Sequence, residues 1–248
     1  MSIFPLLALT VLTLQLSRPT AIDACSSAAQ ALMGQASMRA QEFDLPGALT
    51  LLKEAASDSG CDEAGAQFEY VEGLLGAKEA GTLGGTVDSL RDVRSAVHAL
   101  LWRAASKGGA WEIASIALQA TIAASQYERE EMALYLEHAT RMESLQLDAG
   151  QRAVPLISAL ELAGDLWLQV HRFEDARSAY QRAMARIGRT SRITFGLAHA
   201  AARLQDRPTA CAEYGRLLAW WGARAGAPPE IEEARMFTAL PACTPAPQ

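Results

Sequence analysis

The stretch from Leu160 to Ala183, LELAGDLWLQVHRFEDARSAYQRA, decides how the rest of the chain is interpreted. Small and bulky side chains alternate along it. The small positions are Gly164, Ala176 and Ala183, and the bulky ones are Leu160, Trp167, Phe173 and Tyr180. A shift of 34 residues gives a second copy, in which Tyr214 stands where Tyr180 stood. A fixed period of this length is typical of proteins whose short units stack on their neighbours.

The composition favours helices and a packed core. Of the 248 residues 50% are hydrophobic, which is enough to bury a core. Alanine is abundant and the chain contains 10 prolines, while valine and isoleucine are scarce, so helices are favoured over strands. The net charge of −6 argues against general binding of nucleic acid, which requires a basic surface.

The 34-residue period and its small/large pattern resemble the tetratricopeptide repeat, a helix–turn–helix unit. The resemblance implies an all-α, right-handed solenoid of about five antiparallel helix pairs with a C-terminal capping helix and no β-sheet. The expected domains are a signal peptide at 1–24, a repeat domain at 25–240 and a loose tail at 241–248. Within the repeat domain we expect clear repeats at 157–190 and 191–224, a weaker repeat at 29–62, degenerate pairs at 63–145 and the capping helix at 229–240.

Breaks between the periodic segments predict the helix ends. Pro46 and Pro208 fall where a second helix starts, a position at which the missing N–H costs nothing, and Lys107 followed by glycine is an ordinary helix stop. The helices are expected at Ser26–Gln41, Ala48–Ala56, Glu63–Lys78, Ser89–Ser106, Ala110–Ser125, Arg129–Leu145, Arg152–Val170, Phe173–Ile187, Ser191–Leu204, Pro208–Gly222 and Glu230–Leu240.

The N-terminus has the pattern of a secretory signal peptide. Ile3 to Leu16 is an apolar run followed by small residues at Ala21 and Ala24, and cleavage could follow either. No Lys or Arg precedes the run, and the alternative, a buried first helix, is disfavoured because Pro5 interrupts it. We therefore expect an exported, periplasmic protein without a transmembrane helix in the mature chain. A loose lipobox-like match ending at Cys25 leaves a lipid anchor there open.

The four cysteines, Cys25, Cys61, Cys211 and Cys243, include no CxxC pair, so a metal or thioredoxin-like site is not indicated. The helical hairpins that the resemblance implies would bring Cys25 to Cys61 and Cys211 to Cys243, and we expect two disulfides at these pairs. Such bonds persist in oxidising compartments, in agreement with export. The alternative is four buried free thiols. A Cys25–Cys61 bridge would count against acylation of Cys25.

No catalytic constellation is visible. His98, His138, His171 and His199 are scattered over different helices, and neither HExxH nor GxSxG occurs. The sequence therefore predicts a protein that is not an enzyme, with no cofactor and no metal site.

The resemblance also implies where a partner would bind. In tetratricopeptide-like solenoids the first helix of each pair lines a concave face that holds peptides or partner helices. Carried over to this sequence, that face presents Glu161, Asp165, Gln169, Arg192, Phe195, His199 and Arg203. The alternative is an ordinary solvated face with internal Glu–Arg pairs.

These expectations together predict a non-enzymatic protein-interaction module, an adaptor or scaffold in the cell envelope that binds a protein or peptide partner on its concave face. The alternative is a lipid-anchored structural subunit of an envelope assembly or secretion complex. The sequence does not identify the partner.

Overall fold

Eleven α-helices and a short 3₁₀ turn make up the regular structure of the described residues. The computed structural model describes residues 25–58, 61–81, 87–151, 155–222, 224 and 226–243. The expected signal peptide, both cleavage sites and the end of the expected tail lie outside this part. The helices are α1 Ser27–Gln41, α2 Leu45–Ala56, α3 Asp62–Ala80, α4 Val87–Lys107, α5 Gly109–Ser125, α6 Arg129–Asp148, α7 Ala159–Gln169, α8 Phe173–Ile187, α9 Ser191–Arg203, α10 Arg207–Trp221 and α11 Pro229–Thr238, followed by the turn Pro241–Cys243.

The helices stack in chain order. Each helix contacts the next one along the chain, and α3, α5, α7 and α9 also contact one another in succession. From α3 onward, the first helices of successive pairs therefore form one continuous inner layer, as in a helical-repeat solenoid. The described residues contain no strand, and the predicted all-α class is confirmed. The right hand of the solenoid stays a prediction.

The small/large pattern of the best repeat is explained by the packing of Tyr180. This tyrosine is fully buried on α8, and its ring fills the space against Gly164 on α7 and Gly196 on α9. A Cβ atom at either glycine would overlap the ring, so only glycine lets the three helices approach this closely. Gly164 is therefore a packing residue, as its place in the repeat predicted.

Four hairpin turns share one backbone conformation. The residue that precedes the N-cap of the second helix has a positive φ at Phe43, Tyr127, His171 and Gln205, with values between 59° and 64°. In each turn the next backbone N–H reaches back to a carbonyl five residues earlier, at 2.8–2.9 Å, which closes the first helix with a Schellman-type bond. The repeat is therefore visible in the backbone even where its sequence pattern has decayed.

Both predicted disulfides are confirmed. Cys25 and Cys61 are bridged with their Cα atoms 4.3 Å apart, which joins the start of α1 to the residue after the α1–α2 hairpin. Cys211 on α10 is bridged to Cys243 in the 3₁₀ turn, with a Cα–Cα distance of 5.4 Å. This second bridge holds the first three residues of the expected loose tail against α10.

The predicted continuous helix from Arg152 to Val170 is wrong at its start. Residues 155–158 are not helical, and α7 begins only at Ala159. Ser158 caps the helix by accepting from the Leu160 N–H, and the buried Glu143 carboxylate on α6 accepts from both Ser158 and Leu160 at 2.8 Å. Ser158 is a local cap, whereas the bonds to Glu143 on another helix leave no signal in the local sequence.

Glu143 makes these bonds with one carboxylate oxygen alone. Its second oxygen, Oε1, is buried and has no hydrogen-bond partner among the described residues. Burial raises the pKa of the Glu143 carboxyl, and the hydrogen bonds from Leu160 and Ser158 offset this only in part.

None of the helices in the described part is both long enough and apolar enough to cross a membrane.

Candidate functional site

A cavity of about 470 Å³ lies on the inner side of the helix stack. The inner helices α3, α5, α7 and α9 form one side of it, and the α1–α2 turn faces them. It is lined by Phe43, Leu45, Leu74, Lys78, Gly81, Thr121, Leu162, Asp165, Leu166, Leu168, Gln169, Arg192, Phe195 and Glu230. A concave site of this size, lined mainly by apolar groups with a few polar ones, has the usual character of a ligand pocket.

The apolar floor of the cavity is formed by leucines on α7 and α3. Leu162 and Leu166 are one turn apart on α7, and Leu74 comes from α3. All three are buried, so they form a fixed floor. Leu45 and Phe43, which are half-buried, border the same space from the α1–α2 hairpin.

The α1–α2 turn closes one side of the cavity by contacting α9. The rings of Phe43 and Phe195 meet edge to face with centroids 5.7 Å apart. Beside them the Ser191 hydroxyl donates to the backbone carbonyl of Gln41. The Arg224 guanidinium lies 3.5 Å from the Glu42 carboxylate. The first hairpin thus contacts the fifth across the inner side of the stack.

A buried ion-pair cluster supports the side of the cavity that α7 and α9 form. Arg192 lies 2.6 Å from Glu161 and also pairs with Asp165. Thr190 donates to Glu161 at 2.9 Å, and the Tyr180 hydroxyl donates to Asp165. Burial alone would lower the pKa of Arg192, but the charges of Asp165 and Glu161 raise it above its usual value. The Arg192 side chain is therefore held in place by its ion pairs with Glu161 and Asp165.

The cavity brings together four of the seven residues that the sequence predicted for partner binding. Asp165, Gln169, Arg192 and Phe195 line it. Glu161 does not, because it is buried behind Arg192 and satisfied by it. The internal Glu–Arg pairing that was the alternative interpretation is thus present at Arg192.

His199 and Arg203 do not line the cavity either. His199 Nδ1 lies 2.7 Å from Glu233 on α11, whose carboxylate also accepts from the Tyr214 hydroxyl. Burial opposes ionisation of Glu233, but the hydrogen bonds from His199 and Tyr214 lower the pKa of this carboxyl below its usual value. Arg203 stacks over the Phe173 ring at 4.6 Å. Both side chains hold neighbouring helices together.

Sequence reasoning missed the floor leucines Leu162 and Leu166 within the first clear repeat, and several lining residues from outside the two clear repeats. Phe43 and Leu45 belong to the first hairpin, Leu74 and Lys78 to α3, and Glu230 to α11. No local pattern marks them, because the cavity forms only when the first and last parts of the stack approach one another.

Two charged lining residues differ from Arg192 in having no ion-pair partner in the described ranges. Lys78 stands in the last turn of α3, and Glu230 in the first turn of α11. In the same ranges no three His, Cys, Asp or Glu side chains are grouped so that they could hold a metal ion.

Comparisons with protein-family models, with curated proteins and with solved structures find no match for this chain.

Proposed function

We propose that the protein is a non-enzymatic interaction module of the cell envelope, and that its inner cavity binds an apolar side chain of a partner peptide or helix. The observation that carries this proposal is the cavity of about 470 Å³, with its floor of buried leucines and its half-buried Phe43 and Phe195. Aromatic and aliphatic groups in a preformed pocket are the usual anchors of protein recognition.

Two features of the chain support export as the setting. The Cys25–Cys61 and Cys211–Cys243 bridges are compatible with an oxidising compartment such as the periplasm. The signal-peptide pattern at 1–24 agrees with this. The alternative, a lipid-anchored subunit of an envelope assembly, is disfavoured because acylation would need the Cys25 sulfur that the first bridge uses.

The preformed geometry supports binding without large rearrangement. Asp165 and Arg192 are fixed by their ion pair, and Leu162 and Leu166 are buried in the inner layer. A rigid site loses little conformational entropy when a ligand enters, so a short peptide segment could bind with useful affinity.

The test uses a phage-displayed library of random twelve-residue peptides selected against the oxidised protein. Gln169→Trp fills the cavity from a half-buried lining position. Gln181→Trp is the matched control, because it places the same ring at an exposed position on α8 that does not line this cavity. We expect enriched peptides to bind the wild type and Gln181→Trp equally, and to lose about tenfold in affinity on Gln169→Trp, a change of about 1.4 kcal/mol. Unchanged binding to Gln169→Trp, or no enriched peptide at all, would overturn the proposal.

A further inference from the structure

Lys78 and Glu230 both line the cavity, although they come from distant parts of the chain. Lys78 belongs to α3, where the row begins, and Glu230 to α11, which follows the last hairpin. The two side chains have opposite charge, and neither has an ion-pair partner in the described part of the chain.

The other two charged lining residues, Arg192 and Asp165, are already paired with one another. Arg192 is paired with Asp165 in the lining and with Glu161 behind it, so this cluster is satisfied before any ligand arrives. Lys78 and Glu230 are therefore the charged lining groups of the described chain that a charged ligand group can pair with without displacing an existing partner. The rest of the lining is mainly apolar, with Leu74, Leu162 and Leu166 as its floor.

We infer that the cavity recognises a peptide segment that combines an apolar centre with one acidic and one basic group. The acidic group pairs with Lys78, the apolar centre fills the space over the leucine floor, and the basic group pairs with Glu230. This inference rests on the proposed function and adds the chemistry of the ligand to it. Complementary charges of this kind determine the choice of partner and its orientation more than its affinity.

Each charge also favours its own helix, and the test must separate that effect from recognition. A cation in the last turn of α3 and an anion in the first turn of α11 complement the helix dipoles. Lys53 and Glu130 provide matched controls. Lys53 stands exposed in the last turn of α2, Glu130 stands exposed in the first turn of α6, and neither lines the cavity.

The experiment repeats the phage selection on Lys78→Glu and on Glu230→Lys, with Lys53→Glu and Glu130→Lys as controls. Peptides selected on the wild type should carry an apolar centre together with one acidic and one basic residue. Lys78→Glu should lower their affinity about two- to fivefold, the range of a partly exposed ion pair, and Glu230→Lys should do the same. New selections should replace the acidic residue by a basic one on Lys78→Glu, and the basic residue by an acidic one on Glu230→Lys.

Three results are distinguishable. A charge pattern that changes with Lys78→Glu and Glu230→Lys but not with the controls supports the inference. The same pattern on all five proteins, with binding still lost on Gln169→Trp, overturns the inference and leaves the proposed function standing. No enriched peptide on any of the proteins overturns both.

Discussion

The turns at Phe43 and His171 have the same backbone and a different place in the molecule. Their φ angles are 64° and 60°, and each is closed by the same backbone hydrogen bond, Asp44 N–H to Arg39 in one and Arg172 N–H to Trp167 in the other. His171 is exposed at the end of its hairpin, whereas Phe43 packs against Phe195 on α9. One turn only connects two helices, and the other also closes the inner cavity.

This difference shows which part of a repeat is free to acquire a function. The backbone bonds of the turn satisfy the helix end whatever side chain stands at the left-handed position, since Phe, Tyr, His and Gln all occur there. The side chain at that position projects beyond the hairpin. Its identity therefore decides whether the hairpin tip makes a contact, without changing the repeat itself.

The largest expected effect comes from releasing the hairpin that carries Phe43. The double variant Cys25→Ala/Cys61→Ala removes the bridge that holds α1 to the end of this hairpin. We expect the free energy of unfolding to fall by roughly 2–4 kcal/mol, the usual value for a bridge of this loop length. Urea denaturation measures it. Cys211→Ala/Cys243→Ala is the control: it should cost a similar amount but leave hydrogen exchange in α1 and α2 unchanged. Equal exchange in both variants would contradict the account.

The second prediction compares the two turns directly. Phe43→Ala should lower the free energy of unfolding by about 1–3 kcal/mol. This loss is smaller than that expected for replacing a fully buried phenylalanine, because Phe43 is half-buried. His171→Ala should change it by less than about 0.5 kcal/mol, as for an exposed residue. Because φ is positive at both positions, alanine has the same backbone cost in both variants. The difference between their losses of unfolding free energy therefore reports the contact of the Phe43 side chain. Equal losses in denaturation would mean that Phe43 makes no closing contact.

A smaller effect with the opposite sign is expected from glycine at an exposed turn. Gln205 has a φ of 62° and an exposed side chain, so Gln205→Gly relieves the left-handed backbone at little cost in contacts. Its midpoint of thermal unfolding should rise, corresponding to about 0.5–1 kcal/mol. Phe43→Gly relieves the same backbone but loses the ring contact, and should therefore be destabilised. If both variants shifted in the same direction, the two turns would be equivalent.

The smallest effect is expected at the ion pair beside Phe43. Glu42 and Arg224 are 3.5 Å apart and both partly exposed, so Glu42→Gln should change the free energy of unfolding by no more than about 0.5 kcal/mol. Glu174→Gln, in the hairpin of His171, removes a similar pair with Arg177. Denaturation, measured at low and at high salt, should give nearly equal small losses for the two variants. A loss at Glu42 as large as that of Phe43→Ala would mean that charge, not ring packing, closes the cavity.

Local order in this fold could be predicted from the sequence, while the closure of the cavity could not. The close packing at Gly164, the helix start at Pro46 and both cysteine pairs followed from spacing and from the repeat resemblance. Each depends on neighbours within one or two hairpins. The Phe43–Phe195 contact depends on the summed packing angles of all the helices between them, which no local pattern encodes.

The burial of Glu161 shows a second limit. The repeat resemblance placed Glu161 on the concave binding face, where a charged residue is usually exposed. Its burial depends on Arg192, which stands on another helix and neutralises it. Pairing between helices can be found only when the packing of α7 on α9 is known.

The most direct test of the account is the proximity of the Phe43 and Phe195 rings in solution. The chain has 6 phenylalanines, so selective labelling of Phe gives few ring signals to assign. With centroids 5.7 Å apart, the two rings should give a nuclear Overhauser effect between their protons, and it should vanish in Phe43→Ala. If the wild-type protein showed no such effect, the first hairpin would not close the cavity and the central claim would be contradicted.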